Sequence, residues 1–186
     1  GRRPGDEMQV ISVVNFKGGS GKTSTTIALA QRYALRGYRV LAIDMDPQAS
    51  LSTFFGYRPE IDFEGPDART IYDAICYDDP ETGTRRLPMR EVVQKSYFTN
   101  LDVAPASLLL AEYETETANA LSQNAAGMPR QSIFAVRLSE ALQGVKDDYD
   151  LVLIDCPPQL GFTTLTALAA STGLIVTVVP GMLDIA

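Results

Sequence analysis

Apolar residues along this chain come in short unbroken runs separated by stretches of helical spacing. Gln9 to Asn15 (QVISVVN) is a β-branched run of strand length and reads as a buried strand. Thr23 to Arg36 follows with Ile27, Leu29, Ala30, Ala34 and Leu35 at helical positions, and Gly37 is a natural helix stop. Tyr38 to Asp44 (YRVLAID) is a second buried run. Strand, helix and strand within this span make a βαβ unit, whose two strands are expected to be parallel. Further helices are predicted over Ala49–Phe55, Asp67–Tyr77 with Asp67 as N-cap, Ala106–Leu121, Gln131–Val145 and Phe162–Ala170. Strands are predicted over Leu101–Ala104, Leu151–Ile154 and Leu174–Val179. Polar, turn-rich loops fill Tyr77–Pro88 and Gln123–Pro129.

Continuous apolar strands alternating with helices predict an α/β domain built on a doubly wound, mostly parallel sheet with helices on both faces. Ligands of such sheets bind at the carboxyl ends of the strands. Residues 1–8 read as a linker or chain edge, without the apolar stretch of a secretory signal, and 9–186 as the domain.

Composition narrows the chemistry. The 186 residues contain no histidine, which removes histidine triads and histidine-metal sites together. Two distant cysteines, Cys76 and Cys156, suggest no disulfide framework and point to a reducing cytosol. The net charge of −7 argues against a uniformly basic DNA-binding face. No apolar run is long enough to span a membrane.

Three motifs sit at predicted strand ends. After the first strand comes Lys17-Gly18-Gly19-Ser20-Gly21-Lys22-Thr23-Ser24, a variant of Gly-x-x-x-x-Gly-Lys-Ser/Thr with Lys17 near the first glycine slot. Glycines let backbone N–H groups converge on phosphate oxygens, and the following helix directs its positive end at them. Lys22 is then expected to reach the β- and γ-phosphates of a nucleotide, with the Thr23 hydroxyl on Mg²⁺. The second strand ends in Asp44-Met45-Asp46-Pro47-Gln48, whose two carboxylates can face a magnesium-phosphate site. The third predicted long run ends in Asp155, the Walker B arrangement, whose carboxylate holds Mg²⁺ directly or through water. Cys156-Pro157-Pro158 follows as a stiff turn, with Cys156 expected to be a small buried residue.

Together these motifs resemble those of the ParA family of partition ATPases, the deviant Walker A group that also holds MinD and the nitrogenase iron protein. The Asp46-Pro47-Gln48 and Asp155-Cys156-Pro157-Pro158 turns favour ParA over MinD, and Asn15–Lys22 with Arg2-Arg3-Pro4-Gly5 ahead of it looks most like the RepA group of RepABC-type plasmids. The resemblance implies that Mg·ATP binds and is hydrolysed slowly. It implies that Lys17 reaches across an ATP-sandwich homodimer, that Lys22 is the ordinary P-loop lysine, that Thr23, Asp44 and Asp155 lie at the metal, and that Asp46 orients the attacking water. It further implies a ParB-like (RepB-type) partner, non-specific and operator DNA as targets of the full-length protein, and a cytoplasmic, nucleoid-associated location without membrane attachment.

Family members carry a region ahead of the P-loop and continue past the strand near Val179-Pro180, so the domain is expected to be incomplete on its C-terminal side. Two other readings accompany the partition ATPase. One is a MinD-like positioning ATPase; the other is a truncated domain that binds nucleotide without turnover.

Overall fold

A computed structural model describes residues 6–16, 21–58, 69–123 and 134–178. They form a six-stranded sheet in the order β3-β4-β2-β5-β1-β6. The strands are β1 (Gln9–Val14), β2 (Val40–Asp44), β3 (Gln94–Lys95), β4 (Leu101–Ala104), β5 (Leu151–Asp155) and β6 (Gly173–Val176). All neighbours pair in parallel except the short edge strand β3, which runs antiparallel to β4. The helices are α1 (Lys22–Leu35), α2 (Ser50–Phe54), α3 (Ile71–Ile75), α4 (Met89–Val92), α5 (Leu110–Gln123), α6 (Arg137–Gln143) and α7 (Phe162–Ala170). This is the doubly wound α/β arrangement that the alternating pattern predicts.

Strand residues alternate between two cores, as a pleated sheet requires. Leu41, Ile43, Val152 and Ile154 pack among α3–α7, whereas Val40, Ala42 and Leu153 pack against Ile27, Ala30 and Ala34 of α1 and Leu51 of α2. Both faces of β2 and β5 are covered, so these runs read as continuously apolar. The same period of two decides where their last residues point. Asp44 and Asp155 share parity with Val40, Ala42 and Leu153, so both lie on the face that α1 covers.

Helix α1 is bounded by two glycines with positive φ. Gly37 (φ 89°) follows its last turn and closes a Schellman motif, its N–H donating to Ala34 O at 3.0 Å and the Tyr38 N–H to Tyr33 O at 3.2 Å. The predicted stop is therefore the observed one.

Other boundaries move for local reasons. Asp67 lies outside the described residues. The cap of α3 is Thr70, whose backbone N–H donates to the Asp73 carboxylate at 2.7 Å. The helix predicted from Ala106 starts at Leu110, because the Ser107 hydroxyl accepts the Leu109 N–H at 3.1 Å and holds a turn there. The helix predicted over Gln131–Val145 is regular only over Arg137–Gln143, with residues 131–133 outside the described set. The predicted loop at 77–88 is an irregular stretch closed by an antiparallel Asp79–Thr84 bridge, and the strand predicted over 174–179 is regular over Gly173–Val176, whereas residues 124–129 and 179 lie outside the described set.

Candidate phosphate and magnesium site

The βαβ unit read from the sequence is present, but β1 and β2 are not neighbours: β5 lies between them. Val13 and Asp44 are both register partners of Asp155. Three adjacent strands thus end together, and the start of α1 hangs over them.

Gly21 is the N-cap of α1 at φ 115°, and no side chain caps the helix. An added Cβ would meet no atom within 4 Å there, so the need for glycine is one of backbone conformation rather than space. The first turn carries no acidic residue. It presents Lys22 and Thr23 to the end of β5. The Lys22 Nζ lies 2.8 Å from Asp155 Oδ1, with both side chains buried. The Thr23 hydroxyl donates to Asp155 Oδ2 at 2.8 Å. Thr26, one turn on and on the same face as Lys22, donates to Asp155 Oδ1 at 3.0 Å. Both oxygens of a fully buried carboxylate are thereby satisfied.

Asp44 is equally buried but faces other partners. Its Oδ2 accepts the backbone N–H and the hydroxyl of Ser52 at 2.9 and 2.7 Å, and its Oδ1 accepts the Asp46 N–H at 3.1 Å. Burial pushes its carboxyl up to about 7; the Ser52 hydroxyl opposes this and the nearby Asp155 adds to it. Asp46 is half-buried, and its Oδ1 accepts the Gln48 N–H at 3.0 Å. The Met45 N–H donates to Asp155 O at 2.9 Å, tying the loop after β2 to β5. Cys156 is buried, and burial pushes its thiol up to about 12, as befits an inert packed cysteine.

A raised carboxyl pKa has a defined consequence. Folded Asp44 binds its proton up to about pH 7, while the unfolded side chain releases it near 3.8. The folded state therefore holds more protons between these values, so the contribution of Asp44 to stability is complete below about pH 4 and is lost as pH rises through 7. We expect the unfolding free energy of the nucleotide-free protein, relative to Asp44→Asn, to fall with pH between 5 and 7 by up to about 1.4 kcal/mol per pH unit. Urea titrations of both proteins at several pH values measure this, and a pH-independent difference would contradict it.

Sequence reasoning places Lys22, Thr23, Asp44, Asp46 and Asp155 at one end of the sheet, and the structure brings them there. Lys22, Thr23 and Asp155 form one cluster, and Asp44 and Asp46 form the adjoining one. Ser24 is exposed in the first turn of α1. Lys17, Gly18, Gly19 and Ser20 lie outside the described residues. Thr26 and Ser52 belong to none of the three motifs and join the site only in the folded chain. The i+4 spacing of Thr26 from Lys22 was a usable signal, whereas Ser52 is one small polar residue in a short apolar helix.

The polar groups suit a phosphate and a divalent cation. The Lys22 ammonium contacts Asp155 but makes no well-aligned hydrogen bond among the described residues. Such a buried cation, beside an uncapped helix start, is what an anionic oxygen completes. Thr23 and Asp155 offer two hard oxygens side by side. Among the described residues no three acidic, cysteine or histidine side chains group into a metal cage. Magnesium bound with phosphates needs only one or two protein oxygens, so the set is sufficient.

Fold and site define an α/β domain of the P-loop type with a buried carboxylate, Asp155, at the end of a central strand. Comparison with known proteins is specific about which kind. A family model described as "AAA domain" matches residues 8–185. The chain is 51% identical over 184 residues to "Putative replication protein A" of Rhizobium rhizogenes, covering 99% of this chain and 43% of that protein. It is 35% identical over 173 residues to the chromosome partitioning protein ParA of Caulobacter vibrioides, covering 91% of this chain and 55% of that one. Among solved structures, cobyrinic acid a,c-diamide synthase of Mycobacterium smegmatis with bound ATP analog and magnesium superposes with a TM-score of 0.72 at 28% identity, covering 92% of this chain and 60% of the synthase. The chain belongs to this AAA-domain family, and it is similar to ParA- and RepA-type proteins within it. It spans about half the length of the curated relatives it matches.

Proposed function

We propose that this chain is the nucleotide-binding and hydrolysing domain of a DNA partition protein that binds Mg·ATP. The convergence of Lys22 and Thr23, from the first turn of α1, on the buried Asp155 carries this reading. Lys22 would pass from Asp155 to the β- and γ-phosphate oxygens, and the backbone N–H groups of Gly21, Lys22, Thr23 and Ser24 would line the phosphates. Gly18, Gly19 and Ser20 would complete the cradle. Thr23 and Asp155 would hold magnesium, with Asp44 behind them. Bound magnesium neutralises phosphate charge during transfer. Asp46 would accept a hydrogen bond from the attacking water and align it.

The relatives named for partitioning and replication support the cellular role. On this reading Lys17 reaches the phosphates of a second copy, so that an ATP-sandwich homodimer forms. The dimer binds DNA in the full-length protein, and a ParB-like protein stimulates turnover in the cytoplasm. No helix among the described residues is long and apolar enough to cross a membrane.

Titration with a fluorescent ATP analogue, with and without magnesium, followed by a phosphate-release assay, tests the biochemical core of this reading. Magnesium-dependent binding with slow phosphate release is expected. A chain that binds no nucleotide would refute the reading.

A further inference from the structure

Beside the phosphate site lies a second buried polar arrangement, and its central atom belongs to a residue with no assigned role. Ser52 is fully buried within α2. Its hydroxyl donates to Asp44 Oδ2 at 2.7 Å and accepts the Ala106 N–H at 2.9 Å. One donor and one acceptor are both used, which fixes the rotor. The Ser52 backbone N–H donates to the same carboxylate oxygen at 2.9 Å.

The other oxygen of Asp44 accepts the Asp46 N–H. Asp44 is therefore a clip: one oxygen grips residue 52, the other grips the backbone of residue 46. Asp46 is held from its carbonyl side as well, since Asp46 O accepts the Ala49 N–H at 2.9 Å, with Ala49 at φ 57°. Its carboxylate Oδ1 is engaged by Gln48 N–H, and Oδ2 makes no hydrogen bond among the described residues. The backbone of Asp46 is pinned while one carboxylate oxygen stays open.

We propose that Ser52 is a positioning residue for hydrolysis: acting through Asp44, its hydroxyl holds the Asp46 carboxylate where the attacking water must be aligned. Ala106, two residues past the end of β4, ties the clip to the sheet, so α2 and the loop after β2 cannot drift together. Loosening this clip displaces Asp46 without touching Lys22, Thr23 or Asp155. Small displacements of an aligning group lower the rate of the chemical step far more than they change binding. The inference rests on the proposed ATPase reading, and specifically on Asp46 as the water-aligning group.

The experiment compares wild-type protein, at its full natural length, with Ser52→Ala, Ser52→Cys and Ser52→Thr. ATP-analogue Kd, kcat and Tm are measured for each. Cysteine preserves side-chain volume but is a poor hydrogen-bond donor; threonine keeps the hydroxyl. Loss of one such hydrogen bond predicts a kcat lowered about fivefold to tenfold in the alanine and cysteine variants. Kd should stay within about twofold, because the phosphate ligands are untouched. Threonine should recover most of the lost kcat. An alanine or cysteine variant with wild-type kcat overturns the inference, and so does a loss of affinity equal to the loss of turnover. Wild-type protein that binds ATP but releases no phosphate defeats the hydrolytic reading itself, and the positioning role falls with it.

Discussion

Replacing Lys22 with methionine is expected to lower ATP affinity at least about a hundredfold, since the proposed charge-assisted bonds from its ammonium to the phosphates vanish. The same substitution is expected to weaken the nucleotide-free fold. Lys22 is the cation paired with Asp155, and the Asp155 side chain is fully buried. Removing one partner of a buried ion pair typically costs about 3–5 kcal/mol, because the remaining charge is stranded. Here Thr23 and Thr26 still donate to Asp155, so the lower end of that range is expected. The double variant Lys22→Met/Asp155→Asn separates the two effects. It should recover much of the stability and none of the binding. Fluorescence titration with an ATP analogue and urea unfolding of the two variants provide both readings. Lys22→Met with unchanged affinity would remove Lys22 from the phosphate site. A double variant no more stable than the single one would show that the ion pair contributes nothing to the fold.

Asp46→Ala is expected to behave in the opposite way. Its carboxylate lies outside the Lys22–Thr23–Asp155 cluster, and among the described residues it accepts one hydrogen bond, from the exposed Gln48 N–H. Stability should fall by no more than about 1 kcal/mol. Nucleotide affinity should persist, while turnover drops about a hundredfold or more with the loss of water alignment. If the ATP form is a dimer, blocking turnover accumulates it. Light scattering of Asp46→Ala with Mg·ATP should then give twice the mass found with Mg·ADP. Undiminished phosphate release by this variant would remove Asp46 from the catalytic role, and with it the target of the Ser52 clip. A monomer in both nucleotides would count against the sandwich switch for this stretch of chain.

Much of the site is legible along the sequence because its parts are local. Lys22 and Thr23 are adjacent to a glycine that must adopt positive φ, and they follow a strand and open a helix; each condition is met within a few residues. Asp44 and Asp155 each close a run of apolar residues, so their place at a strand end follows from the run itself. The Gly37 stop is local for the same reason.

Helix starts were less legible. At Thr70 and Ser107 the boundary is set by hydrogen bonds that compete with the helix over one turn, and several residues nearby could serve equally well.

The long apolar runs and helical spacings already mark the parallel strands β1, β2, β4, β5 and β6 and the main helices, since periodicity and turn chemistry act over short range, whereas the short helix Met89–Val92 and the antiparallel edge strand β3 carry no such local pattern. The insertion of β5 between β1 and β2 has no local signature, because strand order is fixed by packing of distant elements. That insertion makes Asp155 a register partner of both Val13 and Asp44. Tertiary packing also decides how the two buried carboxylates are used. Asp155 takes the lysine and two threonines of α1, while Asp44 takes Ser52 and the Asp46 backbone. The two aspartates close equivalent apolar runs and share a face of the sheet. They differ because a buried carboxylate must satisfy its oxygens with whichever donors the neighbouring helix brings within reach, and those donors come together only when the chain folds.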